Sequence, residues 1–132
     1  MNTVVRGLAV LFVAIMLIAS PAGAASRPTK SSRGVVLQQS GSRSSTTKPF
    51  VAPGTWTLQW SFDCAKSPLG EGSFVLTVHP VSGTDVGAAE GPKIDESGPS
   101  GSGRQVYDTG GRKTLVIVAL CPWRLKVLKG AP

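Results

Sequence analysis

Histidine occurs once in this chain of 132 residues, at position 79, and cysteine twice, at positions 64 and 121. These scarcities exclude several chemistries. A Ser–His–Asp or Cys–His centre needs a base beside its nucleophile, and His79 falls on the outward parity of an expected strand with no nameable partner. A structural metal site needs about four thiolate or imidazole-type ligands; one histidine and two cysteines fall short. The stretch Gly98-Pro99-Ser100-Gly101-Ser102 superficially resembles a nucleophile elbow. It lacks the closing glycine and the strand-to-helix setting of one. Calcium-loop spacing is missing. So is a phosphate-cradling glycine run, because Gly101-x-Gly103 is followed by Val106 where a third glycine belongs. Asp63, Glu71, Asp85, Asp95, Glu96 and Asp108 read as solvated loop acids, since none lies beside an apolar pocket. No catalytic residue, cofactor or metal site is assigned.

Long apolar runs are also scarce. The only one, Gly7 to Ala19, has 13 residues, and a membrane span needs ~20. Arg6 precedes it; Ser20-Pro21 breaks it; Ala22-Gly23-Ala24 supplies a small-x-small cleavage pattern. Residues 1–24 are therefore expected to be a cleaved secretory signal peptide, leaving no stable transmembrane span after processing. No cysteine near the cut offers a lipid attachment point. Export places the product in an oxidising compartment, secreted or in the cell envelope. There two cysteines argue for a Cys64–Cys121 disulfide, with two free buried thiols as the alternative.

The formal net charge of +7 is unevenly spread. Residues 25–49 hold seven serines, three threonines, Arg27, Lys30, Arg33, Arg43 and Lys48, and no acid. Apart from Val35-Val36-Leu37 this stretch has little to bury, so it reads as a basic, disordered linker. Val35 to Gln39 is its one candidate edge strand. From Phe50 onward eight basic residues face seven acids, and the rest is nearly neutral. An exported basic tail suits an anionic envelope polymer, a glycan or a protein partner. Nucleic acid is not expected there.

What the chain does have is alternation. Trp56, Leu58, Trp60, Phe62 and Cys64 alternate with Thr57, Gln59, Ser61 and Asp63. That is the period of a strand with one buried face. Phe74, Leu76 and Val78 form a second such set, and Pro80 limits it. Leu115, Ile117, Ala119 and Cys121 share one parity, with Val116, Val118 and Leu120 on the other; a strand apolar on both faces is central or covered. Trp123, Leu125 and Val127 make the last strand. Val86 and Ile94 suit short edge strands, and Arg104 to Asp108 a further strand. Ser97 to Gly103 reads as a flexible glycine-rich loop. No helix is expected outside the signal. The prediction is an all-β, small antiparallel sandwich of about 6–8 strands over residues 50–129, with one core disulfide. Parity assigns the three tryptophans to the core, leaving Tyr107 as the candidate exposed aromatic for sugar contact.

The segments Gly54-Thr55-Trp56, Trp60-Ser61-Phe62-Asp63-Cys64, Gly72-Ser73-Phe74, Gly98 to Gly103, and Cys121-Pro122-Trp123 together resemble a family of small exported bacterial domains. In that family a Trp-x-x-x-Trp-Ser-x-x-Cys strand and a late Cys-x-Trp strand frame a β-sandwich. Its members often occur in lipoproteins or membrane-tethered proteins, and their function is largely uncharacterised. The resemblance spans about residues 50–128. It implies the sandwich fold and no particular activity; the export signal, the basic tail and the missing catalytic set lead instead to the expectation of a monomeric, non-catalytic, envelope-associated binding module. The alternatives are a carboxylate-dependent hydrolase and a protease-inhibitor-like protein presenting Ser97 to Gly103.

Overall fold

The computed structural model describes residues 34–132. The expected signal peptide and Arg27, Lys30 and Arg33 lie outside the described residues. The described chain is all-β, with ten strands: β1 (Val35–Gly41), β2 (Ser45–Thr46), β3 (Phe50–Ala52), β4 (Trp56–Asp63), β5 (Gly72–Ser82), β6 (Asp85–Val86), β7 (Glu90–Gly98), β8 (Ser100–Tyr107), β9 (Gly111–Ala119) and β10 (Trp123–Lys129). Eight of these, β3 to β10, fall within residues 50–129, matching the 6–8 expected there, and β6 holds the edge strand expected at Val86; the other two, β1 and β2, lie in the stretch read as linker.

All pairings are antiparallel. One sheet runs β1-β10-β4-β8. The other is centred on β9 and β5; β2 and β3 share the far edge of β9, and β6 and β7 that of β5. The core is the set that alternation selects. Trp56, Leu58, Trp60 and Phe62 from β4 meet Phe74, Leu76 and Val78 from β5, Leu115 and Ile117 from β9, and Trp123, Leu125 and Val127 from β10. Burial of this apolar set is the main driving force for closing the two sheets on each other. As its two apolar parities require, β9 is central in its sheet, although Val118 on its outer side is exposed.

Cys64 follows β4, Cys121 follows β9, and the two are bonded with their Cα atoms 5.0 Å apart. The bridge thus ties one sheet to the other at one end of the sandwich. Gly72 packs against it: a Cβ there would stand 2.8 Å from the Cys64 sulfur.

Three expectations are corrected. Residues 34–49 are not a disordered linker. β1 pairs with β10 along the edge of the four-stranded sheet, and the chain beyond it is pinned by Trp123 Nε1–H donating to the Arg43 carbonyl at 2.8 Å. Thr47 is buried; its N–H donates to the Leu115 carbonyl at 2.9 Å, and its hydroxyl accepts from the Leu115 N–H at 3.0 Å. The edge strand expected at Val35 to Gln39 is thus present, and the residues after it order themselves on a surface supplied by distant strands, which local composition does not reveal.

Nor is Ser97 to Gly103 a flexible loop. It is the end of β7, a turn at Pro99, and the start of β8, which pairs with β4 without a break from Ser100↔Asp63 to Tyr107↔Trp56. Its glycines are there for room. A Cβ on Gly101 would lie 2.6 Å from the Phe62 ring, and one on Gly103 2.6 Å from the Trp60 ring. The aromatics of β4 spread sideways over a strand that has no side chains at those positions.

Tyr107, the expected exposed aromatic, is buried. Its ring stacks on Trp56 at 4.4 Å between centroids, and its hydroxyl donates to the Pro92 carbonyl at 2.9 Å. Loss of hydration pushes its phenol up to about 12.

Candidate functional site: a basic groove on the four-stranded sheet

Register turns the outward parity of β1, β10, β4 and β8 into two rows across the whole sheet. One row is Gln38, Lys126, Gln59, Arg104; the next is Ser40, Arg124, Ser61, Ser102. In each row neighbouring strands stand ~4.8 Å apart, and the rows themselves are ~7 Å apart along the strands. The local sequence explains why these side chains point out. Arg124 and Lys126 alternate with buried Trp123, Leu125 and Val127. Gln59 and Ser61 alternate with Leu58, Trp60 and Phe62.

This face is hollowed. A groove of about 670 Å³ is lined by Gln38, Ser40, Gln59, Ser61, Arg124 and Lys126. An adjoining recess of about 620 Å³ shares Ser40, Ser61 and Arg124 and extends towards Ser42, Asp63 and Pro122 at the bridge end. Arg124 therefore stands where the two hollows meet.

The charge here is of one sign over both rows. Among the described residues the ion pairs are Lys93–Asp95, at 2.7 Å, and Lys113–Glu90. No carboxylate pairs with Arg104, Arg124 or Lys126. The nearest acid along the groove, Asp63, closes its far end and accepts the Ala65 N–H at 3.0 Å. Asp85, Glu90, Asp95 and Glu96 all belong to β6 and β7 on the other sheet. Rows of amide, hydroxyl, guanidinium and ammonium donors with no acid in either row can bind an extended anionic chain by hydrogen bonds and Coulomb attraction.

The residues singled out from the sequence are dispersed. Arg43 and Lys48 are exposed on the segment after β1 and do not line the groove. Tyr107 is interior. Glu71, Asp85 and Asp108 are exposed, Asp95 is held by Lys93, and among the described residues no group of three His, Cys, Asp or Glu side chains gathers at metal-binding distance. His79 is a fastener for the β5–β6 turn. Its Nδ1–H donates to the Gly87 carbonyl at 2.9 Å, and its Nε2 lies 2.9 Å from the Thr77 hydroxyl. What sequence reading passed over is Arg104, Arg124 and Lys126. Their outward parity was legible, but their convergence depends on the non-sequential strand order β1-β10-β4-β8.

Comparison with family models, curated proteins and solved structures gives no match to this chain.

Proposed function

We propose that this protein is an exported, envelope-associated, non-catalytic binding module, and that the outer face of its four-stranded sheet holds a linear anionic polymer. The observation that carries this reading is the groove centred on Arg124, with Lys126 and Arg104 in the neighbouring row and no acid in either row. Export is supported by the apolar run and cleavage pattern at the start of the chain and by the disulfide. Among the described residues no helix is long and apolar enough to cross a membrane. The reading moves the contact surface from the basic tail and loops to the sheet. The segment considered for a protease-inhibitor role is paired strand, and among the described residues no three His, Cys, Asp or Glu side chains gather at metal-binding distance.

Retention on an immobilised polyanion tests the assignment. Arg124→Ala with Lys126→Ala should lower the eluting salt concentration strongly, because exposed charges act through a screened field. Arg43→Ala with Lys48→Ala removes the same charge outside the groove and should change it little. The reverse ranking would return the contact to the tail.

A further inference from the structure

Resting on the groove assignment, we infer that its centre selects tetrahedral oxyanion monoesters, sulfate or phosphate groups pendant on a glycan chain, over carboxylates. Ser40 and Ser61 are the cross-strand partners of Arg124 on its two sides, and all three line both hollows. The arrangement is an arginine with a serine directly opposite it on each neighbouring strand, the strands standing ~4.8 Å apart.

The donor count decides between ligands. A guanidinium presents a planar fork that takes two oxygens at once. A carboxylate has only two oxygens, both in the plane of the fork, and the lone pairs that the fork leaves free lie in that plane too. A sulfate or phosphate monoester has a third terminal oxygen outside that plane. Ser40 and Ser61 are free to donate to it: their hydroxyls take part in no hydrogen bond within the described residues. Lys126 sits one row away and, as a flexible point charge, suits the next anionic group without dictating its shape. Gln38 and Gln59 flank Lys126 as Ser40 and Ser61 flank Arg124. Their amides can donate to and accept from sugar hydroxyls between the charged groups. A glycan carrying spaced monoesters therefore uses both cations on β10 and the four polar residues that flank them.

The test is titration calorimetry with dextran sulfate, dextran phosphate and polygalacturonate of matched charge density. One or two additional hydrogen bonds to a charged oxyanion amount to roughly a tenfold preference for the two esters. Ser40→Ala with Ser61→Ala should abolish that preference by weakening the two esters more than polygalacturonate. Arg124→Lys keeps the charge, loses the fork, and should also level the three polymers. Equal affinity for all three polymers in the unaltered protein would overturn the selectivity and leave the groove assignment standing. Absence of binding to any of them would overturn the groove assignment itself. Binding to phosphatidylglycerol vesicles without binding to either dextran ester would overturn both in favour of a lipid surface.

Discussion

On the four-stranded sheet the two central outward rows are glutamines, serines, Arg104, Arg124 and Lys126, with Asp63 beyond them at the bridge end; on the six-stranded sheet Val75, Thr77, Val116 and Val118 stand outward, with Asp95 and Lys93 paired at the rim. The inner faces differ too. The first sheet is built from broad aromatic rings laid over glycines. The second is built chiefly from aliphatic chains, and it admits one buried cation, Lys113, held by Glu90. One sheet thus spends its glycines and large rings on making a smooth scaffold whose other side is free for charge. The other carries charges of both signs: Lys93 pairs with Asp95 and Lys113 with Glu90, and Asp85, Glu96 and Arg112 lie on the same sheet. Two rows that hold cations and no acid give the first sheet a field of one sign, which is what the proposed anion would meet.

The largest way to break this division is to remove the link between the sheets. Closing a loop with a sequence separation of 57 restricts the unfolded chain by about 4 kcal/mol. Cys64→Ala with Cys121→Ala should lower chemical-denaturation stability by that order, and equal midpoints with and without reductant would contradict it. Next comes the buried pair of the six-stranded sheet. Glu90→Gln leaves the Lys113 ammonium without its counter-charge and should cost about 3 kcal/mol, whereas Glu90→Leu with Lys113→Met should recover most of it. A single variant as stable as the parent would show that the pair carries nothing.

Smaller effects separate the two inner faces. Gly103→Ala forces a Cβ into the Trp60 ring and should cost about 2 kcal/mol through overpacking. Gly54→Ala, with nothing within 4 Å of its added Cβ, should be close to neutral. Equal unfolding midpoints for the two would remove packing as the reason for the β8 glycines. Tyr107→Phe should cost about 1 kcal/mol by losing the hydrogen bond to Pro92. It should also remove an alkaline effect. The folded phenol titrates at about 12 against 10.0 for an ordinary one. Stability from this group is therefore complete below pH 10 and declines as pH rises towards 12, because the unfolded chain ionises first. A parent and variant with parallel stability between pH 9 and 11.5 would contradict this.

Much of the interior was legible in the sequence. Trp56, Leu58, Trp60 and Phe62, then Phe74, Leu76 and Val78, announce one buried face each, and the cysteines fall on the same parity as their neighbours. Period-2 alternation reports burial directly, so the core and the bridge follow from it. What was not legible depends on partners far along the chain. Gly101 and Gly103 look like a loop until Phe62 and Trp60 are laid beside them. Val35 to Gln39 was legible as an edge strand and is one, but Ser42 to Pro49 looks like linker until β9 and Trp123 hold it. Tyr107 looks free until Trp56 covers it. The groove is the extreme case: Ser40, Ser61 and Arg124 are unremarkable singly, and only the register of β1, β10 and β4 sets them in a row.

The pairing of β1 with β10 has a mechanical side. Val35 lies opposite Leu128, and the Lys129 N–H donates to the Gly34 carbonyl at 3.0 Å, while Gly41 and Trp123 meet near the disulfide. The first and last strands therefore leave the sandwich at the same pole, opposite the bridge. A force pulling residues 34 and 132 apart loads this pair as a zipper, opening one rung at a time from that pole. Tension reaches the cysteines only after β1 and β10 have peeled away. Even then the chain between Cys64 and Cys121, which includes β5 through β9, stays out of the line of force. Stretched by its ends, the molecule would yield early and then stop, with more than a third of its length held back by a single covalent bond.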